Sequence, residues 1–195
     1  MECSSYRDQK KTSFAIPYMG KLGFTPIQEQ IFTEFSKEDI SKQFYFTGGT
    51  ALSVFYLHHR QSEDLDFFTE RDFDSNQIIK FVSRISRQIN LPFRFTQKGD
   101  VRIIEFVKKD KLIIKVDFNY YPYKRVETGK QYNNLVIDSI RDIAGNKLLT
   151  VNQRTDVKDF VDLYFLPKKF TLWDLIYVVK AKFGMEFDMV LIASD

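Results

Sequence analysis

Asp64-Leu65-Asp66 follows a Gly48-Gly49-Thr50 turn by sixteen residues, and chemistry could be built from these residue types. Carboxylates one residue apart on a strand project to the same side of a sheet, because side chains alternate with period two. Two like charges held that close repel unless a cation lies between them. Oxygen-only ligation of this kind suits Mg²⁺, which takes one or two carboxylates together with waters and substrate phosphates. A glycine turn entering a helix offers backbone N–H groups to an anion. The combination fits a metal-bound nucleoside triphosphate.

An isolated D-x-D is most often a pair of solvated acids at a strand end. Here the flanking Leu65, Phe67 and Phe68 are apolar and anchor the strand in a core, leaving the acids to share the remaining face. A later run supplies a third acid. Leu112, Ile114, Val116 and Phe118 fall on one face of it, and Ile113, Lys115, Asp117 and Asn119 on the other. If the two strands are neighbours, Asp64, Asp66 and Asp117 form one cluster. Three carboxylates and a triphosphate carry a charge of about −7, which two Mg²⁺ ions would offset in large part.

Lys147 lies on the stripe of Ile140, Ile143 and Ala144 that should be buried. It either snorkels to the surface or points its ammonium into a cleft, where it would neutralise phosphate charge. Arg60 could reach phosphates or simply complement a helix C-terminus. Asp156 reads as a first-turn acid, Lys158 and Asp162 as an i,i+4 pair, and Asp159 has no evident local role. His58 and His59, the only histidines, are adjacent and do not share a helix face, which argues against a zinc site or a Ser-His-Asp triad.

The elements that must position these residues are legible in outline. Pro26 to Phe35 reads as a helix with Pro in its first turn. Phe44–Thr47 is a short buried strand, and Thr50 is a plausible N-cap for the helix that ends near His58-His59. Glu63–Thr69 carries the acid pair, and Ile78–Ile89 has helical spacing. Phe93–Gln97, Val101–Lys108 and Lys111–Asn119 read as strands joined by hairpin-like turns. From Asp138 onward three helical stripes follow, the second stopped by Pro167. The expected fold is α+β: a mixed sheet flanked by helices over residues 1–125, then a helical part packed on it over 126–195.

The bulk numbers agree with one packed unit. Of 195 residues, 44% are hydrophobic and 20 are Phe, enough for a substantial core; the net charge of +3 is only mildly basic. The single Cys3 excludes a disulfide within the chain and suits a reducing cytoplasm. The N-terminus has no apolar signal segment, and no run approaches the roughly 20 apolar residues of a membrane span. A cytoplasmic protein without a membrane partner is expected.

Gly48-Gly49-Thr50-Ala51-Leu52, followed by Tyr56-Leu57-x-His59-Arg60-x-Ser62-x-Asp64-Leu65-Asp66-Phe67-Phe68, resembles the signature of the AbiEii/AbiGii toxin family. These are minimal nucleotidyltransferases of the DNA-polymerase-β-like fold. Gly49-Thr50, thirteen intervening residues and Asp64-Leu65-Asp66 fit the superfamily's glycine–hydroxyl pair and acid pair. Ile114-Lys115-Val116-Asp117-Phe118 matches the third-acid strand. Asp142 to Leu163, with Lys147, Arg154, Lys158-Asp159 and Asp162-Leu163, resembles the C-terminal helical motif.

The resemblance implies Mg²⁺-dependent transfer of a nucleoside monophosphate from an NTP to a hydroxyl, with tRNA the favoured acceptor. It also implies a place as the toxin of a bacterial toxin–antitoxin or abortive-infection pair, with an antitoxin as partner. Carried over, Asp64 and Asp66 bind two metal ions, while Asp117 binds the catalytic one and orients the acceptor. Gly48, Gly49 and Thr50 cradle phosphate. Arg60, Ser62 and Lys147 belong to the nucleotide site, with Asp159 orienting Lys147 or the nucleotide.

Three other readings compete. A haloacid-dehalogenase-type phosphatase needs an apolar strand before its first Asp and Thr or Val two places after its second; Arg60-Gln61-Ser62-Glu63 and Phe68 stand there instead. A glycosyltransferase acid pair leaves the glycine turn and Lys147 unexplained. A non-catalytic nucleotide- or partner-binding relative of the same fold has no need for all three acids.

Overall fold

The structure, a computed structural model, describes residues 23–154 and 156–185. Cys3 and the polar N-terminal stretch lie outside the described residues. Among the described residues seven strands make one mixed sheet: β1 (Tyr45–Thr47), β2 (Leu65–Thr69), β3 (Phe93–Lys98), β4 (Val101–Lys108), β5 (Lys111–Tyr120), β6 (Lys130–Tyr132) and β7 (Leu135–Ile137). Their spatial order is β3-β4-β5-β2-β1-β7-β6. β2 pairs antiparallel with β1 and parallel with β5, so the two acid-bearing strands are neighbours. The expected strand face on β5 is largely as read, with Ile114, Val116 and Phe118 buried; Leu112 lies exposed beyond the irregularity at Phe106/Val107.

One face of the sheet carries the core. Phe46, Phe67 and Phe118 pack beneath α1 (Pro26–Phe35) and α3 (Ser75–Ile89), which contribute Ile31, Phe32, Phe35, Ile78, Phe81 and Ile85. The Phe67 and Phe118 rings face each other across β2 and β5, with centroids 5.2 Å apart. Burying one such side chain is worth about 1.5–3 kcal/mol. A one-residue slip of β2 would exchange Leu65 and Phe67 for Asp64 and Asp66 on the core face, so packing fixes the register. The opposite face is thereby assigned to the acids.

Thr47, not Thr50, stands at the N-cap of α2 (Gly48–Leu52), which continues as a wider helical turn through Leu57 and stops at His58 in the left-handed region. The hydroxyl-before-apolar-run rule points to Thr50 because Gly48 and Gly49 look like loop residues; in the fold α2 already starts with them. α1 begins with a capping box formed by Thr25 and Gln28. The Gln28 amide also donates to the carbonyls of Ser62 and Glu63 at 2.8 and 3.0 Å. Thr50 Oγ1 donates to the next carbonyl, that of Asp64. Three successive carbonyls leading into the acid pair are therefore clamped.

The C-terminal part is α4 (Ile140–Gln153), α5 (Val157–Phe165) and α6 (Leu172–Phe183), ahead of which β6 and β7 extend the sheet. β7 pairs parallel with β1, so residues 130–137 belong to the sheet although they lie beyond residue 125. α6 locks onto α4 through Lys182 and Asp142, 2.9 Å apart with both side chains fully buried. Asp142 also accepts from the Val126 and Glu127 amides and the Ser139 hydroxyl, satisfying the charge that burial isolates. No helix among the described residues is long and apolar enough to cross a membrane.

Asp138, between β7 and α4, is buried and accepts from Thr47 Oγ1 at 2.8 Å. Burial pushes its carboxyl up to about 7, outweighing Lys182. A carboxyl raised in the folded state binds more protons than in the unfolded chain between those two pKa values. Its contribution to stability is thus complete below about pH 4 and lost as pH rises through about 7. Asp138→Asn is expected to flatten the fall in Tm between pH 5 and 8 relative to the unmodified protein. Parallel Tm profiles for the two proteins would contradict this assignment.

Candidate active site

The sheet face opposite the core aligns the acids by register alone. Asp66 and Asp117 are Cα partners across β2 and β5, and Thr47 opposes Asp66 across β1 and β2. Gly48 has φ +76° and lies so close to Asp66 that a Cβ would fall 2.1 Å from Oδ2. Only glycine supplies both that backbone and that approach. A cleft of about 570 Å³ opens over this face, walled by α4 and the start of α5. It brings together every residue expected at the site except Thr50, which is buried beneath with its hydroxyl on the Asp64 carbonyl.

Charge in the cleft is sharply divided. At one part stand Asp64, Asp66 and Asp117. Burial raises Asp66 to about 7, reinforced by the charges of Asp117 and Asp64. Asp117 is also held above the usual carboxylate range, again chiefly by burial. Its Oδ1 is buried without a hydrogen-bond partner. Lys115, two residues earlier on β5, places Nζ 3.0 Å from Asp117 Oδ2 and 3.6 Å from Asp64 Oδ2. Because one ammonium touches both, those two carboxylates lie well within the ~8 Å that a bridging pair of ions tolerates, given Mg–O contacts near 2.1 Å.

The donor set fits a hard divalent cation: three carboxylates on one face, one with an orphaned buried oxygen, and mutual repulsion that a cation would relieve. The carboxylates do not form a finished coordination shell. Among the described residues no group of three or more His, Cys, Asp or Glu side chains is arranged to hold a metal ion. Lys115 stands among the three acids instead.

The other part of the cleft gathers its cations, each beside a carboxylate. Lys147 neither snorkels nor lies free: its buried Nζ is 2.6 Å from Asp159 Oδ1 and 2.7 Å from Asp162 Oδ2. Arg60 forks onto Asp162, with Nε 2.6 Å from Oδ1 and Nη2 2.8 Å from Oδ2. His59 Nε2 lies 2.7 Å from the same Oδ1, and Arg154 Nε donates to Asp159 Oδ2 at 3.0 Å. Burial opposes the Asp162 charge, but Arg60, Lys147 and His59 outweigh it and hold the carboxyl below its ordinary range. Lys147, Arg60 and Arg154 are held here by Asp159 and Asp162, and Lys158, Glu63 and Asp156 complete the charged lining. Gly49 approaches Arg60 and Ser62 closely enough that a Cβ would meet Arg60 Nη2 at 2.5 Å.

The expected Lys158–Asp162 pair does not form. Lys158 stays exposed, 3.7 Å from Glu63, while Asp162 turns inward with a fully buried side chain. Lys115 and the positioning residue Gln28 are participants that sequence reasoning passed over, and Asp162, read as a pair with Lys158 and as part of the helical motif, was given no place in the site. A signal existed for Asp162 and Lys115. Asp162 shares a helix face with Asp159, three residues apart, and Lys115 shares a strand face with Asp117. Asn146, whose Oδ1 is buried without a partner, also lines the cleft, and nothing local marked it.

The sequence model of one family, the nucleotidyl transferase AbiEii toxin of a Type IV TA system, matches residues 30–186. An uncharacterized protein of Aquifex aeolicus is 36% identical over 164 residues, spanning 78% of this chain and 72% of its own. Two crystal structures from Helicobacter pylori are similar in fold. JHP933 is 22% identical with a TM-score of 0.54, covering 78% of this chain and 71% of that one. The other, described as a candidate nucleotidyltransferase, is 23% identical with a TM-score of 0.55, covering 78% and 73%.

Proposed function

The chain belongs to the AbiEii nucleotidyltransferase toxin family, and from that premise we propose that it transfers a nucleoside monophosphate from an NTP to a hydroxyl of an RNA acceptor, tRNA foremost, using Mg²⁺. The observation that carries this reading is the pairing of Asp66 with Asp117 across β2 and β5, with Asp64 on the same face and the Gly48 turn against Asp66. The reaction forms a bond from the acceptor oxygen to the α-phosphorus and breaks the bond from that phosphorus to the β-bridging oxygen. Pyrophosphate leaves with the electron pair, and the hydroxyl proton passes to a carboxylate or to water.

Each residue has a task in this scheme. Asp64, Asp66 and Asp117 would hold the ions, which when bound neutralise the phosphates and stabilise charge on the transferred group. Asp117 orients the acceptor hydroxyl. Lys147, Arg60 and Ser62, with the Gly48 and Gly49 amides, bind the β- and γ-phosphates at the other part of the cleft. Asp159 holds the Lys147 ammonium in place. In-line displacement needs fixed partners on both sides of the phosphorus, which in this scheme are the three acids on one side and Arg60 and Lys147 on the other. The proposal includes a cytoplasmic site of action and a protein antitoxin restraining the enzyme.

The test incubates the protein with Mg²⁺, each labelled NTP, and total RNA. Label should pass to the tRNA fraction and fail to pass with Asp64→Asn. Transfer that survives this substitution, or no NTP binding with any base, would defeat the proposal.

A further inference from the structure

Lys115 has a geometry that a merely solubilising lysine would not adopt. Its Cα partner across β4 and β5 is Glu105, so an opposite-charge pair directly across the sheet lies within its reach. The ammonium instead leans along its own strand to Asp117 and Asp64, at 3.0 and 3.6 Å. Burial disfavours the Lys115 charge, yet the hydrogen bond to Asp117 and the fields of Asp117, Asp64 and Asp66 outweigh that and raise its pKa. Glu105 meanwhile acts on Asp117 through space. A lysine is a compact, strongly hydrated point charge on a flexible stem, and so a fair substitute for a small cation.

We propose that Lys115 is a tethered cation that occupies the metal position between Asp64 and Asp117 in the free protein and moves to Glu105 when metal and nucleotide enter. The inference rests on the nucleotidyl-transfer reading above and adds a competitor built into the chain. Without any cation the three acids repel one another in a partly buried cleft. The ammonium relieves that repulsion with a single positive charge. A divalent ion supplies twice the charge and can also use the unpartnered Asp117 Oδ1, which the ammonium leaves idle. Glu105 gives the displaced lysine a second carboxylate station, so loading does not strand a half-buried charge. Metal binding in the absence of nucleotide is accordingly held weak.

The experiment measures Mn²⁺ affinity of the nucleotide-free protein by electron paramagnetic resonance, and Mg²⁺ affinity by calorimetry. Lys115→Met should tighten both by about tenfold, the scale of removing one nearby charge in a half-exposed site. Lys115→Gln, which keeps a polar head, should tighten them as well, and thermal unfolding verifies that both variants fold. Glu105→Gln should weaken metal binding when Lys115 is present and have much less effect in the Lys115→Met background. That non-additivity separates displacement to Glu105 from a general field effect, which would act equally in both backgrounds.

Unchanged or weaker metal affinity in Lys115→Met and Lys115→Gln would overturn the inference while leaving the transferase reading intact. Equal effects of Glu105→Gln in the two backgrounds would overturn the second station. No metal binding by the parent protein or by any variant would overturn both the inference and the reading beneath it.

Discussion

Asp66→Asn is expected to abolish nucleotidyl transfer, by roughly a thousandfold or more, while leaving the metal-free protein at least as heat-stable as the parent. Both halves of that result come from one arrangement. Asp66 stands opposite Asp117 in the sheet and against the Gly48 turn. An interaction that stabilises charge only in the transition state, removed from a metal-assisted phosphoryl transfer, costs several kcal/mol of barrier. The same carboxyl is crowded by Asp117 and Asp64 and raised to about 7 by burial. Its charged form therefore opposes folding at neutral pH in the absence of metal, and a neutral amide of the same shape does not. The measurement pairs label transfer at saturating Mg²⁺ with Tm in chelator at pH 8. Activity within tenfold of the parent, or a Tm several degrees lower, would refute the assignment.

Asp162→Ala is expected to have the largest effect on stability, about 3–5 kcal/mol, and to remove NTP binding with it. Asp162 has a fully buried side chain and receives Arg60, Lys147 and His59 at 2.6 to 2.8 Å. Removing it leaves two buried or half-buried cations with one carboxylate, Asp159, between Lys147 and Arg154. An uncompensated charge is far costlier than a pair that was never there, because its solvation is lost with nothing in return. Asp162→Asn should fall between, since the amide oxygen can still accept from Arg60. Urea denaturation reads the stability, and a fluorescent NTP analogue reads the binding. A denaturation midpoint that stays with the parent's would show that Arg60 and Lys147 do not depend on this residue.

The parts of this site that were legible in the sequence are those set by short-range periodicity. Asp64 and Asp66 must share a face on any strand, and Asp117 must oppose the apolar face of Ile114, Val116 and Phe118, wherever the strands end up. That β2 and β5 are neighbours needed the resemblance or the fold, because α3 and two strands lie between them in the chain. β6 and β7 were missed because three residues are too few to show alternation, and the pairing of β7 with β1 joins segments about 90 residues apart in the chain. Asp162 was misassigned for a related reason. A partner four residues away is visible in sequence, whereas His59 and Arg60 lie 103 and 102 residues off. Thr50 looked like a local cap and Gln28 drew no reading; their tertiary hydrogen bonds, to Ser62, Glu63 and Asp64, leave no periodic trace.

The dependence of Arg60 and Lys147 on Asp162 has a consequence for how the protein is made. A growing chain that has emerged from the ribosome only through α4 already holds the glycine turn, all three site acids and Lys147. It still lacks the two carboxylates of α5 that fix the cations, and the Lys182 that seats α6 on α4. Under the proposed roles, such an intermediate would have its three acids but only loosely held Arg60 and Lys147, and would not grip a triphosphate. Nucleotidyl transfer then arrives late and abruptly during synthesis, only once α5 and α6 have joined the rest of the fold.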